Sequence, residues 1–260
     1  MEPAAYRKMA ETEDRHWWFC GRRAVASAVI DSLGLPANIS VLEIGAGTGG
    51  NIPMLSRYGA VTAVEMDDSA RHIAAEKTDM EFLAGHLPDG LPKFDRKFDL
   101  ICMFDVLEHV EKDYAALETI ADLLAPGGRL VLTVPAHQWL WSHHDEVLHH
   151  FRRYSRSGLA GVLRDAGYEV QRLTFTNSAL FPAAAAARLL DRGLSKDKEA
   201  ASSGSDIPPK FANAVMKELF RSERHLLGRF DLPMGLGLLA VVQPARTGED
   251  AQAGNMRAAA

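Results

Sequence analysis

Cysteine is scarce in this chain: Cys20 and Cys102 are the only two among 260 residues. A disulfide framework is not indicated, and the count fits a reducing compartment. Long apolar runs are missing too. No uninterrupted stretch reaches the ~20 residues that a membrane-spanning helix requires, so stable membrane insertion is not expected. The opening Met1-Glu2-Pro3 lacks the basic-then-apolar pattern of a signal peptide, and the expectation is a cytoplasmic protein. Positive charge is in deficit, with 29 Lys and Arg against 34 Asp and Glu, a formal net charge of -5. There is no basic stripe and no Asn-Pro-Pro-Tyr-like motif, so nucleic acid is not an expected partner. Internal repeats are absent. What remains is a chain 47% hydrophobic and 24% charged, long enough for one α/β domain with a large core and some additions.

The organising stretch is Val41-Leu42-Glu43-Ile44-Gly45-Ala46-Gly47-Thr48-Gly49-Gly50. Strand-forming residues run into a glycine-rich turn that opens a helix. Glycine permits a sharp turn and lets a ligand lie against the main chain, and the helix beyond presents free N–H groups. An acid, Glu65, closes the next strand at the spacing where nucleotide-binding folds grip a ribose. Strands are expected at 40–44, 61–65, 80–84, 98–104 and 129–134, with helices near 50–58, 68–77 and 111–124. Such alternation implies a parallel sheet with right-handed crossovers. Ile44, Glu65 and Phe104 then share the carboxyl edge, where open α/β sheets bind ligands.

The blocks Glu43-Ile44-Gly45-Ala46-Gly47-Thr48-Gly49, Val64-Glu65-Met66-Asp67, Phe98-Asp99-Leu100-Ile101, Asp105-Val106-Leu107-Glu108-His109-Val110 and Leu124-Ala125-Pro126-Gly127-Gly128 resemble, in order, the class I S-adenosylmethionine-dependent methyltransferases. An NAD-type Rossmann dehydrogenase is the competing reading, because Gly50 would supply its third glycine. The last two blocks have no task in a dehydrogenase. The resemblance implies a Rossmann-like, doubly wound α/β sheet, mostly parallel with an antiparallel last strand, and helices on both faces. It implies that S-adenosylmethionine lies over Gly45, Ala46, Gly47 and Gly49 beside Glu43, with its ribose on Glu65 and its adenine against Met66. Many members carry an aspartate where this chain has His86, so a backbone contact at Leu87 is the substitute. Phe104 and Asp105 are expected to flank the methionine moiety.

Residues 1–36 read as an N-terminal helical lid, 37–243 as the methyltransferase domain with a helical insertion near 178–230, and 244–260 as a disordered tail. Within the first segment stands His16-Trp17-Trp18-Phe19-Cys20-Gly21-Arg22-Arg23. Its aromatics either pack the helix onto the sheet or close over the site. Ser155 is expected to cap a helix running to Ala166, ended by Gly167. A strand follows at 168–175, an alanine-rich helix at 179–190 and a flexible linker at 195–209. Phe211, Val215 and Leu219 share a face of the helix expected at 210–229, and the last strand is expected at 236–242.

Five of the ten histidines lie in residues 135–154, the segment leaving the fifth strand. His144 is the expected general base, oriented by Asp145, with His150 as a further catalytic candidate. Arg152 and Arg153 are expected to hold an anionic part of the substrate, and Trp18, Arg22, His143 and Tyr154 are counted with the substrate contacts. The same histidines with Asp145 could ligate Zn²⁺ or Fe²⁺, but their spacing is not diagnostic, and no metal is expected. Trp141-Ser142-x-His144-Asp145 and His150-x-Arg152-Arg153-Tyr154, with His16-Trp17-Trp18-Phe19 and Leu232-Pro233-Met234-Gly235, resemble a bacterial subgroup of these enzymes. The implied activity is methyl transfer to a small molecule, with O-methylation of an anionic substrate favoured. The alternative is non-methyl chemistry such as cyclisation on the same fold, with or without a metal. A non-catalytic binding module is the third reading.

Overall fold

The computed structural model describes residues 3–193 and 206–245. Of the linker expected at 195–209 and the tail expected at 244–260, residues 195–205 and 246–260 lie outside the described residues, while Pro244 closes the last strand. Two helices come first, α1 (Pro3–Thr12) and α2 (Trp17–Asp31). There follow β1 (Ile39–Ile44), α3 (Ile52–Leu55), β2 (Gly59–Glu65), α4 (Asp68–Thr78), β3 (Phe82–Ala84), β4 (Phe98–Phe104), α5 (Asp113–Ala121) and β5 (Leu124–Pro135). The rest is α6 (His143–Val147), α7 (Arg156–Asp165), β6 (Tyr168–Thr176), α8 (Phe181–Gly193), α9 (Lys210–Ser222), α10 (Arg224–Leu227) and β7 (Gly237–Pro244).

The strands form one seven-stranded sheet in the order β3-β2-β1-β4-β5-β7-β6. β7 runs antiparallel to both β5 and β6, while the other pairs are parallel. The order reverses between β1 and β4, and the glycine turn leaves the sheet at that point. The central strand β4 is apolar and buried on both faces from Leu100 to Phe104, as a strand covered on both sides must be. Along β4, Ile101 and Met103 join a core with Leu117 and Ile120 of α5 and Leu159 and Leu163 of α7. Leu100, Cys102 and Phe104 point the other way, against Val25, Val29 and Ile30 of α2, Phe220 of α9 and Leu227 of α10. Two layers of helix thus sandwich one sheet.

Several boundaries differ from expectation. The helix after the glycine loop is short, because Gly59 already starts β2. Leu124 belongs to β5, so α5 stops at Ala121. Ser155 caps α7 by accepting from the Gly158 N–H at 3.0 Å, and Gly167 adopts φ +81° after it. The larger difference concerns α9. Phe211, Val215 and Leu219 do share a face, but it is exposed, with Phe211 82% open to solvent. The helix docks instead through Asn213 and Phe220. Asn213 accepts from the Trp17 N–H at 2.9 Å and donates to the Arg15 carbonyl at 3.0 Å. Phe220 packs on Gly21, where an added Cβ would meet its ring at 2.2 Å. A hydrogen-bonded asparagine and a glycine notch outweigh the apolar stripe.

Candidate active site

The glycine loop lies at the carboxyl end of β1. Gly45 and Gly47 have φ of +72° and +54°, a region closed to most side chains. Glu65 fixes this loop from the end of β2. Its Oε2 accepts from the Gly47 N–H and its Oε1 from the Asp67 N–H, both at 2.9 Å. Each carboxylate oxygen retains a lone pair for a further donor. Two more acids stand close by. Glu43 is buried under the loop, accepts from Asn51 Nδ2 at 2.7 Å, and burial pushes its carboxyl up to about 8. Glu13, between α1 and α2, accepts from Thr48 Oγ1 at 2.7 Å and from Lys77 Nζ at 2.8 Å while 4% exposed.

A cavity of about 1040 Å³ opens over this loop and runs to the segment after β5. Gly45, Ala46, Gly47, Glu65, Met66, Leu87, Phe104 and Asp105 all line it, as does His86. Glu43 and Gly49 do not: both sit beneath the loop, Gly49 against Thr78, Phe82 and Ala74. Tyr6, Met9 and Glu13 of the first helical segment form one wall, with Trp17, Trp18, Phe19 and Arg22 beside them. Trp17 and Trp18 also pack on the core beneath, which is the packing role weighed for the aromatics. Arg22 pairs with Asp105 at 2.6 Å and stacks on Trp18, 4.6 Å from the ring centre. Asp105 itself is held at φ +57°, its N–H donating to Thr133 Oγ1 at 3.1 Å.

The opposite wall comes from the histidine-rich segment. His144, His149, His150 and Arg153 line the cavity. Desolvation lowers the His144 pKa and so favours its neutral imidazole. Asp145 does not serve His144. Its fully buried carboxylate accepts from Arg153 Nε at 2.7 Å, His150 Nδ1 at 2.9 Å and the Ser142 N–H at 2.8 Å. Burial opposes its ionisation, but the His150 and Arg153 hydrogen bonds prevail and hold the carboxyl well below its usual range. A one-residue offset explains the geometry. In the short helix α6 the neighbouring side chains point apart, so Asp145 turns inward while His144 faces the cavity.

Three expected substrate contacts lie off the cavity. His143 is exposed on Glu146, 3.1 Å away. Arg152 pairs with Asp113 at 2.6 Å, and the Tyr154 hydroxyl donates to the same carboxylate at 2.8 Å. These two anchor the segment to α5. Sequence reasoning missed other wall residues: Glu13, Thr133, Asn177, Glu108 and Arg188. Glu108 had a signal, an acid beside a histidine just beyond β4. Glu13 had none, because only the tertiary fold brings it to the loop.

A family model described as a methyltransferase domain matches residues 19–173. The chain belongs to the S-adenosylmethionine-dependent methyltransferases. Among curated relatives, the demethylmenaquinone methyltransferase of Tropheryma whipplei strain Twist is 34% identical over 128 residues, 48% of this chain and 50% of that protein. The ubiquinone biosynthesis O-methyltransferase of Xanthomonas axonopodis pv. citri is 26% identical over 155 residues, 52% of this chain and 65% of that protein. The chain thus spans about half the length of the first of these relatives. Among solved structures, the complex between the Haloferax volcanii Trm112 methyltransferase activator and a methyltransferase matches with TM-score 0.58 and 20% identity, covering 94% of this chain and 95% of that one. The [4+2]-cyclase SpnF matches with TM-score 0.54 and 16% identity, covering 86% and 82%. These two likenesses are of fold alone. The family match favours methyl transfer over the cyclisation alternative. No helix among the described residues is long and apolar enough to cross a membrane.

The loop fits S-adenosylmethionine. Its amide-lined glycine turn carries no side chains that would exclude a ligand, and Glu13 and Glu65 on the cavity wall suit a cofactor bearing a sulfonium and an ammonium.

Proposed function

We propose that this methyltransferase O-methylates a small molecule that carries an ionisable hydroxyl, an apolar body and an anionic group. The observation carrying the reading is one continuous cavity, with the acid-ringed glycine loop at one end and a neutral histidine, His144, at the other. The bound cofactor would supply a methyl group on a sulfonium, open to in-line displacement. Glu65 would accept from the ribose hydroxyls with the lone pairs it has left. Leu87 and Met66 would border the base, and Phe104 with the Arg22–Asp105 pair would border the methionine part. His144 would take the proton of the acceptor hydroxyl. His150, held through Nδ1 by Asp145, would orient the acceptor. Arg188, which lines the cavity and has no carboxylate partner among the described residues, would hold the anionic group in place of Arg152. Trp17, Trp18, Phe19 and Leu140 would cover the apolar body and exclude water.

The names of the curated relatives support a quinone-like acceptor class, in which a ring hydroxyl and an apolar tail coexist. The N-terminal segment acts in this reading as a lid, and the protein works in the cytoplasm without nucleic acid. The chain also joins the bacterial subgroup marked by His16-Trp17-Trp18-Phe19. The test is a screen of pooled metabolites and quinol analogues with isotopically labelled cofactor, read by mass spectrometry. A labelled O-methyl product with one equivalent of S-adenosylhomocysteine is expected. Label on carbon or nitrogen would refute O-methylation, and cofactor binding with no turnover on any pool would refute the enzyme reading.

A further inference from the structure

Glu108 and His109 leave the 3₁₀ turn Leu107–His109 beyond β4, and His150 reaches them from the loop after α6. One ligand atom of each lies within 4.8 Å of the others, and the two imidazoles meet edge to face with centres 4.6 Å apart. All three line the cavity. Glu108 is 1% exposed, and neither of its carboxylate oxygens has a hydrogen-bond partner. Buried carboxylates are normally paired or bound to a cation. Asp145 is acceptor-only when ionised, so His150 Nδ1 donates to it at 2.9 Å and Nε2 is the ring nitrogen open to a ligand. A carboxylate behind an imidazole is the arrangement that orients metal-ligating histidines.

We propose that Glu108, His109 and His150 form a binding site for one divalent transition-metal ion. Two imidazoles with one carboxylate suit Zn²⁺, Mn²⁺, Fe²⁺ or Co²⁺ rather than Mg²⁺ or Ca²⁺, which favour all-oxygen sets. Three protein ligands leave coordination positions open, and the cavity is where they open. The role of the ion rests on the methyl-transfer reading: it would draw the acceptor's hydroxyl to this wall and make its proton easier to lose, the proton passing to His144. The oxygen–carbon bond then forms as the carbon–sulfur bond of the sulfonium breaks. This ligand set differs from the one suggested by the histidine-rich segment alone. His143 is spent on Glu146 and Asp145 on Arg153 and His150, so only His150 of that group joins the cluster.

The test uses chelator-treated full-length protein titrated with Co²⁺, followed by visible absorption and calorimetry. One equivalent is expected to bind with a saturable d–d band. Glu108→Gln and His150→Ala should each weaken binding by more than about 100-fold, beyond the loss typical of an outer-shell change. His143→Ala should leave it intact. Affinity for S-adenosylmethionine, measured on the same preparations, should stay within about twofold in every variant, which shows that the fold survives. No saturable band, binding unchanged by both Glu108→Gln and His150→Ala, or binding abolished by His143→Ala would each overturn the site. Those failures with cofactor affinity intact leave the methyl-transfer reading standing, whereas a wild-type protein that binds Co²⁺ but not the cofactor would sink that reading and keep the ion site.

Discussion

At the scale of single residues, Glu65 and His144 carry separable jobs. Glu65 holds the glycine loop through the Gly47 and Asp67 amides as well as facing the ribose position. Glu65→Ala should therefore weaken S-adenosylmethionine binding by roughly 1.5–3 kcal/mol, the range for hydrogen bonds to a charged group, in calorimetric titration. An unchanged dissociation constant would remove Glu65 from the site. His144 makes no comparable side-chain hydrogen bond among the described residues, and it lines the cavity. His144→Ala should lower turnover by about 10²–10⁴ with cofactor affinity nearly unchanged. A fully active variant would transfer the role of base to another group.

At the scale of elements, the segment from Ser142 to Tyr154 is tied together internally by the Asp145 carboxylate and anchored to α5 by Asp113. Asp145 gathers Ser142 at the start of α6 and His150 and Arg153 beyond it, entirely out of solvent. Asp145→Asn would leave the Arg153 guanidinium without its counter-charge, and breaking such a pair one-sidedly costs about 3–5 kcal/mol. The expected result is a lower unfolding midpoint together with fast amide exchange through the segment, while the strands stay protected. Exchange unchanged in residues 142–154 would show that the Arg152–Asp113 pair alone suffices. The sequence offered Asp145 as the partner of its neighbour His144. The short helix turned the adjacent side chains away from each other, and no count along the chain could show which histidine would meet the acid.

At the scale of the whole molecule, Glu43 couples stability to pH. In the unfolded chain it ionises at the ordinary 4.5, whereas in the folded core it keeps its proton to about 8. Below the lower value both states are protonated and the group is neutral to stability. Between the two, the unfolded state gives up its proton first, so stability falls as pH rises and levels off above about 8. Thermal midpoints should decline across that window. Glu43→Gln retains an acceptor for Asn51 and should flatten the decline, making the variant more stable than the parent at the alkaline end. A parent and variant with parallel profiles would show that Glu43 ionises normally in the fold.

The sheet and the loop were legible because they depend on local order. Strand-forming runs, a glycine turn that needs positive φ, and an acid closing the next strand are encoded by neighbours, and their sequence spacing placed them on one edge. What tertiary structure decided was partnership across distance. Glu13 meets Thr48 and Lys77, Arg22 meets Asp105, and Glu108 with His109 meets His150, each joining residues remote in the chain. α9 likewise turned its apolar stripe outward because Asn213 and Phe220 found better partners on α2 and the turn before it. Periodicity specifies that a helix has faces, but which face is buried depends on what the rest of the chain presents to it.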